Sequence, residues 1–492
     1  MTRSFRYPAL YLLIILAFVL LLLIFAPLLT KNNLISIPFL SFLTSTPFIN
    51  PDHFNYTITP PQVCLDEFLT GSRHPIRRSR HDVNGTKAKN KTSLERLEEG
   101  LAKARASILD AIRFKNYTSE REETFIPRGS IYKNPYAFHQ SHIEMIKRFK
   151  IWSYKEGERP LVHLGPMYKR KYDMEGYFID EIEREEIPFR AKHPDEAHMF
   201  FLPFSVAFIV DYVYEPIITR EEYHPNRLQQ IVMDYVTVVA HKYPYWNRTN
   251  GADHFMVSCH DWGRKISVGH SELYKNFVRV LCNANTSEGF EPRRDVSLPQ
   301  VFLQSGEPGP SNLAHQSPRS RRTLAFYAGG AHGLIRAILL HHWKGKDNKV
   351  QVYETVPESM NYTALMEHSK FCLCPSGTEV ATPRVVEAIY AGCVPVIISD
   401  NYTLPLSDVL NWSQFSVNIA VAKIPEIKTI LQAIPYKEYL KMQRRVLKVQ
   451  RHFVLNKPAK PFDVIHMILH SVWLRRINIK LLDRDEHINS RV

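Results

Sequence analysis

A chain of 492 residues exceeds one ordinary hydrophobic core, so two domains with additional segments are expected. Six cysteines in such a length exclude a disulfide scaffold, and no Cys/His set has the spacing of a zinc site. The formal charge of +14 and pI of about 9.3 call for an acidic partner.

In chain order, residues 1–6 form a short tail, and Tyr7 to Leu29 carries no charge and is long enough to span a bilayer. Arg3 and Arg6 before it, with Lys31 after it, predict a cytosolic N-terminus and an uncleaved signal anchor. Everything beyond then lies in a secretory lumen. The glycosylation pattern agrees, recurring at Asn55, Asn84, Asn90, Asn116, Asn247, Asn285, Asn361, Asn401 and Asn411. That topology turns the basic charge away from nucleic acid and toward an acidic polysaccharide, although the segment HPIRRSR also reads as a solvated tether.

Residues 30–124 read as a lumenal stem rich in Pro, Ser, Thr and Asn, with one amphipathic helix over 93–113. Leu94, Leu97, Leu101, Ala104, Ile108 and Ala111 make its apolar stripe, which fits a short coiled coil between two chains or packing onto the chain's own globular part.

From residue 125 the pattern becomes α/β, with a first domain over 125–310. Strands are expected at Phe149–Tyr154, Met199–Phe204 and Phe255–Ser258, and helices at Glu175–Glu185 and Arg227–Lys242. Gly, Pro, Ser and Arg between Ser305 and Arg322 mark a linker. A second series over 311–478 has strands at Leu324–Tyr327 and Val350–Tyr353, and helices at Leu334–Trp343 and Tyr362–Glu367. A strand–loop–helix–strand unit, FCLCPSGTEVATPRVVEAIYAGCVPVIISD, follows. There Thr382 is placed to cap a helix and Gly392 to end it in the left-handed conformation. The segment Tyr436–Arg476 is helical and able to run back across a cleft, and 479–492 is a charged tail.

Parallel α/β sheets bind ligands at the carboxyl edge of their strands. In AFYAGGAHGLIR, Gly329, Gly330 and Gly333 allow close backbone approach and Arg336 suits a phosphate. The later unit repeats the arrangement with Ser376, Gly377 and Arg384, and Glu387 lies one turn on, where a carboxylate suits two ribose hydroxyls; an exposed Arg384–Glu387 ion pair fits the spacing equally. In the first domain Asp253 and His254 precede a strand and His260, Asp261 and Trp262 follow it, a density that suits proton transfer beside a sugar ring. Cys259 and Cys282 are the expected bridge, whereas Cys372 and Cys374 read as small core residues. Walker A, G-x-S-x-G and H-E-x-x-H patterns are missing, and Asp483–Asp485 follows no strand, so no metal site is expected.

Taken together, the motifs YKEGERPLVH, PDEAHMFFLPFS, KYPYWNRTNGADHFMVSCHDW, CNANTSEGF, LAFYAGGAHGLIR and SKFCLCPSGTEVATPRVVEAIYAGCVPVIISD resemble the plant exostosin-like glycosyltransferases, glycosyltransferase family 47. The resemblance runs from about Tyr132 to Leu481 and is nearest the xylogalacturonan β-1,3-xylosyltransferase-like branch. It implies an α/β protein of GT-B type, two Rossmann-like domains facing a cleft. It also implies a Golgi type II membrane enzyme that moves a sugar, with xylose the first candidate, from a UDP-sugar to a pectic or other cell-wall polysaccharide with inversion. Carried onto this chain, Gly330, Arg336, Ser376, Gly377, Arg384 and Glu387 hold the donor, and Asp253, His254, His260 and Asp261 stand on the acceptor side with the base among them. No cofactor beyond the donor is required, and pairing of chains through the stem is allowed. The chain departs from the pattern at Thr378, where relatives commonly carry an aromatic, and at Thr382, where many carry Ser. A non-catalytic lumenal carbohydrate-binding or assembly subunit with the same fold is the alternative.

Overall fold

The computed structural model describes residues 91–117, 125–165, 172–214, 224–302, 309 and 316–479. The anchor over 7–29, the stem up to residue 90, part of the linker and the tail with Asp483 and Asp485 lie outside the described residues. Among the described residues no helix is long and apolar enough to cross a membrane.

Chain order begins with α1 (Ser93–Phe114) and α2 (Pro135–Arg148), followed by β1 (Ile151–Ser153), α3 (Asp173–Glu183), β2 (Met199–Phe201), α4 (Val206–Tyr214) and α5 (Asn226–Lys242). Then come β3 (His254–Ser258), α6 (Ser271–Lys275), β4 (Val278–Leu281) and β5 (Val296–Ser297). The five strands form one parallel sheet in the order β1-β2-β3-β4-β5. The second sheet is built from β6 (Thr323–Ala328), α7 (Leu334–Trp343), β7 (Val350–Tyr353), α8 (Tyr362–Glu367), β8 (Ser369–Pro375), α9 (Arg384–Tyr390), β9 (Val394–Ile398) and β10 (Val417–Asn418). Its order is β10-β9-β8-β6-β7, again all parallel. After α10 (Ile427–Gln432) and α11 (Tyr436–Val449), α12 (Val464–Asn478) closes the fold.

Local sequence explains several of these boundaries. Thr92 and Glu95 form a reciprocal capping box at the start of α1. Its apolar stripe is buried within this chain: Leu101 and Ala104 are inaccessible, Glu98 pairs with Arg476 at 2.6 Å, and Arg105 Nε donates to the Ile477 carbonyl at 2.6 Å. The coiled-coil alternative for that stripe therefore gives way to packing on α2 and α12. At the end of α9, Gly392 has φ 60°, and the amides of Gly392 and Cys393 donate to the carbonyls of Ile389 and Ala388, the paired bonds of a Schellman ending. The predicted Thr382 cap is absent. No side-chain cap bond starts α9, because the Thr382 hydroxyl faces Arg336 Nη2 at 3.5 Å instead.

Cys259 and Cys282 are bridged, as expected, tying the end of β3 to the end of β4. Cys372 was expected to be a free core residue but is bridged to Cys393, because parallel pairing brings the residue before β9 beside β8; Cys374 is free and buried.

The two sheets meet through their carboxyl ends. The loop after β4 pairs in antiparallel fashion with the loop after β9, with Thr286 N–H donating to Asn401 O at 3.0 Å and Thr403 N–H to Ala284 O at 3.0 Å. Helix α12 returns to the first sheet. There Arg476 Nε donates to the His198 carbonyl at 2.8 Å and Arg475 Nη2 to the Asp295 carbonyl at 2.6 Å.

Candidate active site

On the second sheet, β6 and β8 are neighbours, so the loops that follow them share one edge. They pack backbone against backbone. A Cβ on Gly333, whose φ is +93°, would lie 2.4 Å from the carbonyl of Gly377, and one on Gly329 would lie 2.2 Å from Arg384 Nη2. The glycines thus let two loops and a guanidinium converge, a reason beyond ligand approach. Gly377 in turn leaves room for Arg336, whose Cζ is 3.0 Å from where a Cβ would stand. Ser376 is buried, and its hydroxyl donates to the Val380 carbonyl at 3.1 Å, shaping the loop from inside.

Arg384 Nε and Nη2 both donate to the Ala328 carbonyl, at 3.0 and 2.8 Å, and its guanidinium lies 5.2 Å from the Tyr327 ring centre. Arg336 is buried and makes only long contacts, 3.4 Å to the Pro375 carbonyl and 3.5 Å to Thr382. Burial, and then the neighbouring Arg384 charge, depress its pKa. Among the described residues neither arginine forms an ion pair, so two guanidinium charges share one pocket without a carboxylate at contact distance. The alternative of an exposed Arg384–Glu387 ion pair is not formed. Glu387 instead accepts from the Tyr362 hydroxyl at 2.7 Å, and burial pushes its carboxyl up. Gly330 lies on the β6 loop next to His332.

On the first sheet, the four acceptor-side candidates separate. Asp253 and His254 stand at the amino end of β3, and both are inaccessible to solvent. Asp253 receives Arg248 Nη2 at 2.6 Å, the Thr249 hydroxyl at 2.6 Å and His254 Nδ1 at 2.8 Å, while His254 Nε2 meets the Tyr154 hydroxyl at 2.9 Å. Burial by itself would raise the Asp253 carboxyl, but His254 and Arg248 outweigh it and hold it well below the carboxylate range. The reading of these two as proton-transfer groups is therefore corrected. They are a closed structural network on the edge away from the cleft.

His260 and Asp261 follow β3 at its carboxyl end, on the cleft side. Glu175 of α3 fixes that end: its carboxylate receives the hydroxyls of Ser205 and Ser258 at 2.5 and 2.9 Å and the amides of Ala207 and Cys259 at 3.0 and 3.0 Å. His260 Nδ1 accepts the Trp262 amide at 3.1 Å, which in a neutral ring leaves the proton on Nε2. Asp261 is partly exposed and accepts the Tyr172 hydroxyl at 3.0 Å.

Three residues that carried no expected role join the two halves. Glu379, on the loop after β8, contacts Asn283 Nδ2 after β4 and lies 3.8 Å from Arg264 after β3. Burial pushes the Glu379 carboxyl up, Arg264 and Asn283 pull it down, and the Asp261 charge adds to the rise. A charged residue inside a loop between two buried strands was the available signal for Glu379. Asn283 had none of its own.

The Exostosin GT47 domain model matches residues 131–434, more than half of the chain. This chain belongs to the exostosin GT47 family. A probable glycosyltransferase of Arabidopsis thaliana is 52% identical over 390 residues, covering 79% of this chain and 73% of the relative. A probable beta-1,4-xylosyltransferase of the same plant is 29% identical over 308 residues, covering 58% and 71%. Among solved structures, TarM aligns with 46% of this chain and 55% of its own at 11% identity, with a TM-score of 0.24. The family match and the named relatives make this GT47 protein a glycosyltransferase, and its two parallel sheets meet at the carboxyl edges where the candidate residues lie.

Proposed function

We propose that this GT47 protein is an inverting transferase of GT-B type. It takes a UDP-sugar on the β6 and β8 loops and transfers the sugar to an acidic cell-wall polysaccharide. The observation that carries the reading is the Arg336–Arg384 pocket. Two crowded guanidinium groups, Arg336 buried and Arg384 partly so, with no ion-pair partner among the described residues are costly, and a diphosphate supplies negative charge in a geometry that guanidinium matches.

In the transfer, the acceptor hydroxyl oxygen bonds to the anomeric carbon as the bond from that carbon to the diphosphate oxygen breaks. Arg336 and Arg384 stabilise the charge that UDP gains, without a resident metal ion. Asp261 takes the acceptor proton, since it is the partly exposed carboxylate among the four candidates, and His260 Nε2–H donates to a hydroxyl of the bound sugars. Glu387, oriented by Tyr362, is assigned to the ribose, and the exposed Thr378 to the rim of the donor pocket. Xylose as the sugar, a pectic acceptor, a Golgi membrane location and a single anchor over 7–29 complete the reading. The basic charge, the uncharged N-terminal run and the xylosyltransferase name of one relative support them.

The test is product formation. Full-length protein in detergent is incubated with a panel of UDP-sugars and labelled oligogalacturonides, and product mass is read. Addition of a pentose from UDP-xylose is the expected outcome; no transfer from any nucleotide sugar to any acidic acceptor overturns the assignment.

A further inference from the structure

We infer that Asn283 of the acceptor-side half is a positioning residue for the donor: it holds the 376–380 loop, from across the cleft, in the shape that receives the diphosphate. The inference rests on the reading that this loop binds the donor nucleotide.

The Asn283 amide is used at both ends. Its Oδ1 accepts the Val380 amide at 3.3 Å and its Nδ2 donates to the Glu379 carboxylate. It is 3% exposed, so water does not compete for these bonds. Inside the loop, the Gly377 amide donates to the Glu379 carbonyl at 3.0 Å, and Ser376 Oγ donates to the Val380 carbonyl. Residues 379 and 380 are thus the shared anchor: Asn283 grips their outer side, and Ser376 and Gly377 hang on their inner side. Gly377 is also the residue against which Gly333 and Arg336 pack. Releasing Asn283 therefore frees the element that spaces the arginine pocket.

Asn283 is itself fixed by its place in the chain. It follows the bridged Cys282, and the next residues pair with Asn401 and Thr403 of the second half. Arg264 supports the grip from β3, lying 2.7 Å from Glu288 and 3.8 Å from Glu379. The donor pocket is thus completed by a residue of the other sheet, and the affinity for nucleotide depends on the two halves being joined.

Polarity makes the idea testable. Asn283→Asp keeps the size and the acceptor for Val380 but sets a carboxylate against the Glu379 carboxylate. Adding Glu379→Gln restores a donor–acceptor pair with its direction reversed. UDP binding by calorimetry and hydrogen exchange of the peptide spanning 376–382 are measured on the full chain. If the ready loop falls to about a tenth of its population, UDP affinity falls about tenfold in Asn283→Asp and exchange quickens, and both return in the double variant. Glu379→Ala should lose affinity similarly while Glu379→Gln alone stays within about twofold, which decides the matter if Asn283→Asp fails to fold. Unchanged UDP affinity and unchanged exchange in Asn283→Asp and Glu379→Ala overturn the inference. If wild-type protein binds no UDP, the donor-loop reading fails, and loop exchange alone decides whether Asn283 holds the loop.

Discussion

The carbonyl of Gly377 occupies the space that a Cβ on Gly333 would need, at 2.4 Å, so the β6 and β8 loops form one unit. Neither partner of that contact is a flexible side chain. Gly333→Ala should therefore displace backbone and incur strain at φ +93° of about 1–3 kcal/mol. The expected result is a lower thermal midpoint together with lost UDP binding, whereas Gly129→Ala, at φ +101° with open space around it, should cost stability alone.

Arg336 and Arg384 repel each other, and neither has an ion-pair partner among the described residues, so binding and stability should oppose one another there. Arg336→Gln removes a buried like charge and should leave the thermal midpoint equal or higher, while kcat/KM falls about 100-fold. A parallel loss of both would show that Arg336 holds the fold rather than the donor.

Proton transfer separates the two ends of β3. Asp261→Asn should lower kcat about 100-fold with UDP affinity retained. Asp253→Asn leaves Arg248 without its partner in a buried site and should cost about 3 kcal/mol of stability, with normal turnover per folded molecule. Urea unfolding read beside kcat for both variants distinguishes the roles.

Acid sensitivity follows from a buried histidine cluster between α2, α12 and the turn Gln450–His452 that follows α11. His142 stacks on Phe462 at 3.8 Å and lies 5.7 Å from His466 and 6.3 Å from His470. Burial holds His452 and His466 at about 4 and His470 at about 3, against 6.5 ordinarily. An unfolded chain takes up these protons below pH 6.5 and the folded chain only near pH 4, so the stability is present above 6.5 and lost as pH falls through that window. Asp463, raised by burial to about 6, and the buried carboxyls of Glu175, Glu379 and Glu387, also raised, act in the opposite sense, but the depressed histidines, which include His139, His142, His198 and His254, outnumber them. The thermal midpoint should drop by about 10 °C between pH 7 and pH 5, and His466→Leu should lessen the drop.

Much of the architecture is legible in the residues. The period and punctuation around Leu334–Trp343, Val350–Tyr353 and Tyr362–Glu367 give those elements to the residue, because each is long enough, or sharply enough bounded, for local preference to decide. Strands β4, β5 and β10 escaped notice: β5 and β10 have two residues each, β4 lacks the sharp turn signals that bound Val350–Tyr353, and pairing with neighbours is what makes them strands.

For the site, the sequence by itself supplied the family, and it named the two loops, their glycines and both arginines that the structure brings to one sheet edge. It could not tell which residues bracketing β3 face the cleft, since Asp253, His254, His260 and Asp261 lie within nine positions of one another and look alike as a list. Parallel pairing decided that, by sending one pair to the buried amino edge and the other to the open carboxyl edge. Tertiary structure alone also joined Asn283 to Glu379 across 96 positions and Cys372 to Cys393, because contacts between separate strands and loops depend on the order in which the chain lays down its sheet, which no local periodicity records.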